Sequence, residues 1–421
     1  MSQLPEVTSV TIALLTPDFA PKTGGIANVL EGLVRATSLK YRWHVFTTCQ
    51  ANGTTDSSMS YPITRLTGRV PGERPGDDLY PLRKINSFFH HLGAPRAARA
   101  LFDEIRATVR PEFVVFGCWD HSTSYWCSAA RDAGIPYWLF AHGLEVTGLR
   151  GWFMNRRRII DFQCAVQIVA NSEATAQRVR GLGVPERGIA VIHPGVNVES
   201  LVPLPIGGVK DVLTSVGLDG VPFLLSMGRL VKRKGFDLTI SAFASLAHEF
   251  PELHFVLAGD GPERKQLESI ASTLDIRHRI HILGRISERV KAGLLQSCEY
   301  FVLANREVRG DMEGFGLVFR EAAHFGKACI GGNNGGVPEA ILDGRTGLLV
   351  DTSAGDRPLA DAMRELLCSP GRARGLGQNG EREVANSGTM RQSAKRFGDL
   401  VETRRRGGDR STAEDREVPP L

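Results

Sequence analysis

The stretch MEGFGLVFREA, residues 312–322, carries two carboxylates, Glu313 and Glu321, with Gly314 and Gly316 directly after the first. On one helix this spacing would rotate the second carboxylate by about 80° and raise it by about 12 Å, so the pair could not act on one atom. The preceding run ANREVRGDM is polar and loop-like. LVFREAAHFG has helical apolar spacing and ends at Gly326, a suitable cap. A helix is therefore expected from near Gly316, with Glu313 in the loop ahead of it and Glu321 in its second turn. A helix start offers free N–H groups and partial positive charge, which suit a phosphate. The two glycines let a ligand approach the backbone. Carboxylates accept hydrogen bonds from vicinal diols. The pattern fits a sugar–diphosphate–nucleoside, one glutamate to each sugar. Two solvated acids on a surface helix fit the spacing equally well.

A second constellation is SMGRLVKRKGFD, residues 226–237. Arg229 would leave a strand end, and Lys234-Gly235 would open the next helix. Both cations would sit at the carboxyl edge of a sheet, where a departing diphosphate needs positive charge. Arginine can grip it bidentately and lysine adds a point charge. Lys232 and Arg233 read as a solvated face. GDGPERKQL (259–267) places Gly259, Gly261 and Pro262 in a tight turn against which a flat base could lie. GGVPEAI (335–341) reads as a further glycine turn. His142 follows the apolar run IPYWLFA at its carboxyl end, where such sheets carry catalytic groups; on its own the position favours a structural hydrogen-bonder. Glu145 reads either as an acceptor contact or as a cap, and His193 as a loop residue near a hinge.

These residues need two sheets to position them. VTIALLT (10–16), WHVFTT (43–48), EFVVFG (112–117), IPYWLFA (135–141) and AVQIVAN (165–171) are apolar without alternation, as parallel strands covered on both faces are. Helical patterns occupy 26–39, 94–108, 122–133 and 173–181 between them. The logic restarts with strands at 222–228, 253–259, 279–284, 299–305 and 327–332 and helices at 235–249, 262–273, 287–296, 316–325 and 358–367. The fold class is α/β, with two doubly wound Rossmann-like domains facing a shared cleft at the carboxyl ends of their strands. Residues 198–221 mix Pro and Gly without a period and read as a linker. Residues 51–82 read as loops with one short strand. The charged end after about 403 reads as disordered.

Composition limits the function classes. The chain has 421 residues, 42% apolar and 23% charged, with a net charge of +5 and a pI near 8.9. That mild excess suits anionic ligands or an anionic membrane surface and does not argue for nucleic acid. Seven scattered cysteines without a Cys-x-x-Cys pair suggest neither zinc nor disulfides. No signal peptide and no run long enough to span a bilayer is seen, so a cytoplasmic protein with at most peripheral contact at the inner face of the membrane is expected. In GLRGWFMNRRRII (148–160), Trp152 and Phe153 stand beside Arg156, Arg157 and Arg158. This suits an anionic bilayer surface, and equally an ordinary amphipathic helix.

Gly24-Gly25 after the first strand, AHGLE (141–145), ANS (170–172), HPGVN (193–197), GRLVKRKG (228–235), GDGP (259–262), EGFGLVFREA (313–322), GGVPEAI and DGRTGLLV (343–350) together resemble the retaining GT-B glycosyltransferases of family 4. They follow the family order over roughly residues 10 to 350. AHGLE looks like the form in bacterial enzymes acting on lipid-linked or phosphatidylinositol-linked acceptors. The resemblance implies that Glu313 holds donor-sugar hydroxyls and Glu321 the ribose hydroxyls. Arg229 and Lys234 would bind the diphosphate, and Phe315, Gly316 and Leu317 would present backbone amides. Gly24 and Gly25 would lie beside the diphosphate, Gly261 would contribute to the donor site, and His142 would face the reacting sugar.

Further implications are transfer of a hexose from a GDP- or UDP-activated donor to a glycan or glycolipid with retention, in bacterial cell-surface assembly. Neither a cofactor nor a metal is expected, since no Asp-x-Asp is present. The domains expected are 1–203 for the acceptor, 204–388 for the nucleotide sugar, a helix 389–405 returning to the first domain, and a tail 406–421, with a hinge near 198–220. A nucleotide-sugar 2-epimerase of similar fold and a non-catalytic sugar-nucleotide binder are the competing readings. A nicotinamide dehydrogenase is disfavoured because no Gly-x-Gly-x-x-Gly follows the first strand.

Overall fold

The computed structural model describes residues 10–22, 24–48, 56, 59–66, 82–147 and 152–407, without the side chains of 82–93, 152, 153 and 407. The chain divides into two units, Met1–His193 with Met390–Leu421, and Pro194–Thr389.

The first unit carries a seven-stranded sheet of β1 (Thr11–Thr16), β2 (Arg42–Thr47), β3 (Ile63–Arg65), β4 (Phe113–Phe116), β5 (Tyr137–Ala141), β6 (Gln167–Ala170) and β7 (Ile189–Val191). Its order is β3-β2-β1-β4-β5-β6-β7 and every pairing is parallel. Helices α1 (Gly25–Thr37), α2 (Leu82–Thr108), α3 (His121–Asp132), α4 (Leu144–Thr147), α5 (Trp152–Cys164) and α6 (Glu173–Arg180) connect the strands. Both faces are covered, so β4 and β5 are buried along their whole length. Side-chain oxygens of Asp120 and Ser172 accept from the Thr123 and Thr175 amides and start α3 and α6. Sequence periodicity placed the start of α2 at residue 94, but the helix runs through Pro95 from Leu82.

The second unit has six strands, β8 (Phe223–Met227), β9 (His254–Ala258), β10 (Ile280–Gly284), β11 (Phe301–Leu303), β12 (Cys329–Gly332) and β13 (Gly347–Val350). Their order is β10-β9-β8-β11-β12-β13, again all parallel. The helices are α7 (Ile206–Ser215), α8 (Phe236–Leu246), α9 (Arg264–Ser272), α10 (Glu288–Ser297), α11 (Leu317–His324), α12 (Val337–Ala340), α13 (Arg357–Cys368) and α14 (Pro370–Glu383). Phe243, Phe255, Phe301 and Phe319 are fully buried at its centre, each contributing about 1.5–3 kcal/mol of apolar burial.

The stretch expected to be a linker holds α7, a correction to the sequence reading. Its Gly207-Gly208 pair and flanking prolines hid the apolar face. Val212 of that face is buried against Gly293 of α10. The unit boundary also falls at His193/Pro194 and not at 203/204. The Val196 amide donates to the Gly388 carbonyl at 2.8 Å, and Val196 and Leu201 join the second unit's core.

The last helix, α15 (Met390–Gly407), packs on the first unit. Phe397 stacks on Trp43 with ring centroids 5.9 Å apart and meets Trp138 edge-on at 5.7 Å. The Tyr41 hydroxyl donates to the Gly398 carbonyl at 3.2 Å. Residues 408–421 and 148–151 lie outside the described residues. The six described cysteines are free, and burial pushes the Cys298 thiol up to about 12.

In each sheet the chain reverses its winding at one place, between β1 and β4 and between β8 and β11. In open α/β sheets the crevice outside the carboxyl ends of the strands at that place receives ligands.

Candidate active site

At the β8/β11 switch, two loops are laced together by charge. After β8, Lys232–Lys234 form a single 3-10 turn that ends on Gly235 at φ 65°. A Cβ at residue 235 would lie 1.9 Å from the Ala304 carbonyl oxygen, so the turn after β8 can lie against the end of β11 only with glycine there. Lys234 is thereby turned inward and is 8% exposed. Its ammonium lies 2.7 Å from Oε2 of Glu313, itself 7% exposed.

The same Oε2 accepts from Nδ2 of Asn305 at 2.9 Å and from a terminal nitrogen of Arg233 at 3.1 Å. Among the described residues the hydrogen bonds to the Glu313 carboxylate all fall on Oε2, with none on Oε1. Burial would raise the pKa of this carboxyl, but Lys234, Arg233 and the Asn305 hydrogen bond outweigh it and hold it below the ordinary range. Asp311 lies 3.2 Å from Nε of Arg233; burial and the nearby Glu313 push its carboxyl up despite the arginine. The Glu313 carbonyl also accepts from the Gly336 amide at 2.9 Å, which fixes the loop to the GGVPEAI turn.

Helix α11 begins at Leu317, capped by Gly316 at φ 88°, the left-handed region that favours glycine. Glu313 therefore stands in the loop before the helix and Glu321 on it. The amides of Leu317 and Val318 at its start have no intrahelical acceptor, while that of Phe319 donates to the Gly316 carbonyl at 2.9 Å. Phe315 is buried, with the Arg320 guanidinium 5.7 Å above its ring, so only its backbone is at the helix mouth. Glu321 accepts from Lys291 of α10 at 2.7 Å. Burial would lower the Lys291 pKa, but Glu321 and Glu288 outweigh it and raise it. Arg229 is exposed and makes no ion pair among the described residues. At Gly261 a Cβ would lie 2.5 Å from the Leu230 carbonyl oxygen, so this glycine is required by the packing of the 228–231 loop.

The β1/β4 switch is built differently. Gly24 and Gly25 open α1 and are exposed, with open space where a Cβ would stand. His142 follows β5, and its Nε2 lies 2.8 Å from the Gly117 carbonyl, at the end of β4. A carbonyl only accepts, so in the neutral ring Nε2 carries the proton and Nδ1 the lone pair. Nδ2 of Asn171, after β6, donates to the His142 carbonyl at 3.1 Å. The Glu145 carboxylate is buried and accepts from the His142 amide, the capping alternative of the sequence reading.

Two further expectations change. Arg233 is not on a solvated face: it bridges Asp311 and Glu313, while Lys232 is exposed. Of the three arginines on α5, only Arg156 is exposed. Arg157 lies 4.4 Å over the Tyr125 ring, and Arg158 is buried, donating to the Glu145 carbonyl at 3.2 Å. Side chains of Trp152 and Phe153 lie outside the described residues. Sequence reasoning missed Arg233, Asn305 and Lys291. Asn305 had a signal, since it follows its strand as Asn171 does. Among the described residues, no three His, Cys, Asp or Glu side chains gather as a metal site.

The model of the family described as "Glycosyltransferase Family 4" matches residues 23–200, and that of "Glycosyl transferases group 1" matches 215–383. The GDP-mannose-dependent alpha-(1-6)-phosphatidylinositol monomannoside mannosyltransferase of Mycolicibacterium smegmatis is 30% identical over 272 residues, covering 63% of this chain and 69% of that one. The chain belongs to the group 1, family 4 glycosyltransferases. This glycosyltransferase is also 26% identical to the GDP-mannose-dependent monoacylated alpha-(1-6)-phosphatidylinositol monomannoside mannosyltransferase of Corynebacterium glutamicum, over 88% of this chain and 92% of that one. Its fold, GT-B, is shared with the crystal structure of Anabaena HepE in complex with UDP and glucose. That match has a TM-score of 0.76 at 16% identity and covers 94% of this chain and 100% of the other.

Proposed function

We propose that this glycosyltransferase moves a hexose, with mannose from GDP-mannose as the first candidate, onto a glycan or lipid-linked acceptor with retention of anomeric configuration and without a metal. The observation that carries the reading is Glu313. Three donors fix one carboxylate oxygen and leave the other for a hydroxyl of the donor sugar. The donor diphosphate would take Arg229, Lys234 and the amides of Gly316 and Leu317, which meet the negative charge that develops as the sugar leaves. Glu321 would accept from the ribose hydroxyls. The names of the relatives favour guanosine and a phosphatidylinositol mannoside acceptor. Uridine and another cell-surface glycan are the other outcomes.

With its bonded oxygen already committed to cations, Glu313 is a poor metal ligand, and activity should survive EDTA. A cytoplasmic enzyme touching an anionic bilayer through Arg156 completes the reading. No helix among the described residues is long and apolar enough to cross a membrane. The test is a thermal-shift series with GDP, UDP and their sugar conjugates, since a ligand preferring the folded state raises its melting temperature. Product analysis by NMR with a mannosylated lipid acceptor follows. Stabilisation by GDP and an α-linked product support the proposal. No shift with any nucleoside diphosphate ends it, and an epimerised donor formed without acceptor would favour an epimerase.

A further inference from the structure

Arg233 stands next to Lys234, and both reach Glu313, but they differ in what else they can serve. Lys234 is the cation expected to meet the donor diphosphate. Arg233 is already committed on two sides, with Nε 3.2 Å from Asp311 and a terminal nitrogen 3.1 Å from Glu313. Its backbone is fixed as well. The Arg233 carbonyl accepts from the Arg306 amide at 2.9 Å. The Arg306 guanidinium holds Asp237 at 2.9 and 2.7 Å and the Lys232 carbonyl at 3.2 Å. The turn after β8 and the loop after β11 are thus cross-linked on both sides of Arg233.

The two cations and two carboxylates balance while no ligand is bound. A diphosphate arriving at Lys234 draws on that lysine's charge, and Glu313 and Asp311 then share one remaining cation. We infer that Arg233 is a positioning residue for glycosyl transfer, keeping Glu313 ionised and oriented while Lys234 is engaged by the donor diphosphate. The inference rests on the reading of Glu313 as the donor-sugar carboxylate. A planar fork presents separate N–H groups to the two carboxylates at fixed angles, whereas a lysine would offer both a single point charge without that directionality.

The test uses the full-length enzyme with R233M, R233K, E313Q and R233M/E313Q, GDP as the binding probe, and turnover as a function of pH. R233M should lower kcat about 10–100-fold through a misplaced carboxylate. It should also raise the acid limb of kcat by about one pH unit, because an opposite charge at this distance depresses a carboxyl by that order. The Kd for GDP should stay within about threefold, a small change on the affinity scale. R233K should recover part of the lost turnover and move the acid limb back towards that of the wild type. In ligand-free melts at neutral pH, R233M/E313Q should lose less than the sum of the single losses, because the two residues form one ion pair.

A GDP affinity that falls in parallel with kcat would make Arg233 a direct phosphate ligand and overturn the proposal. An unmoved acid limb or additive melting losses would do the same while leaving the glycosyl-transfer reading intact. Failure of the wild type to bind any nucleoside diphosphate defeats that reading, and the proposal with it.

Discussion

The two switch points of this glycosyltransferase occupy equivalent places in two parallel sheets but are made of different material. Outside β8 and β11 there are two cations and two carboxylates, with Lys234 and Glu313 nearly removed from water. Outside β1 and β4 an imidazole, a side-chain amide and backbone carbonyls meet, the Glu145 carboxylate is turned onto a backbone N–H, Asp120 caps α3, and the Asp18–Lys22 ion pair keeps its lysine exposed. Buried charges require partners on every side, because removing one leaves another uncompensated. The second unit therefore fixes its loops by ion pairs. The first unit fixes His142 by hydrogen bonds alone, from its ring to the Gly117 carbonyl, from its amide to the Glu145 carboxylate and from the Asn171 amide to its carbonyl. On the proposed function, the charge-dense switch is the one that would meet a charged leaving group.

Removing one charge of the dense cluster while keeping its shape should cost the most. Glu313→Gln should reduce kcat about 10²–10³-fold, the range for losing one group that stabilises a developing charge. GDP affinity should change little, since the sugar and not the nucleotide is lost as a partner. A kcat within tenfold of wild type would mean that the charge-dense switch is not where the chemistry occurs.

In the first unit the corresponding change should cost less. In His142→Gln the side-chain amide can donate to the Gly117 carbonyl as Nε2 does, but the acceptor at Nδ1 is lost. A fall in kcat/KM of about tenfold, near 1.4 kcal/mol, is expected, against a fall beyond that in His142→Ala. Steady-state kinetics at saturating acceptor compare the two. Equal losses in both variants would mean that the hydrogen bond to Gly117 does not position the ring.

Much of this contrast could be read in the chain, and what escaped did so for definable reasons. Apolar runs without alternation announced the central parallel strands, such as FVVF and YWLFA. The glycine before LVFREA announced a helix start, and with it the separation of Glu313 from Glu321. Edge strand β7 is short and only half-buried, so its sequence carries little signal. Helix α7 was hidden by glycines that the packing against α10 tolerates. Arg233 was misjudged because three consecutive basic residues look like a solvated face. Only the left-handed turn at Gly235 and the loop from β11 decide which of them turn inward. Lys291 could not be paired with Glu321 from sequence, since the two lie on different helices joined only by the fold.

Within the second unit, the pair between Lys291 and Glu321 should matter least. Both side chains retain some exposure, 14% and 15%, so the pair is less committed than Lys234 with Glu313. Lys291→Gln should raise the KM for the donor a few-fold, leave kcat nearly unchanged, and cost about 1–2 kcal/mol of stability, between the values for exposed and buried pairs. The pH dependence follows from the raised lysine pKa, in which Glu321 and Glu288 outweigh burial. A raised folded-state pKa stabilises fully below the unfolded value of about 10.4 and is lost as pH rises through the folded one. The melting-temperature gap between wild type and K291Q should therefore be flat from about pH 7 to 9 and close above about 10.4. A gap already closing near pH 8 would show that the lysine is not held by its carboxylates, and that charge in this unit is concentrated at the β8/β11 switch alone.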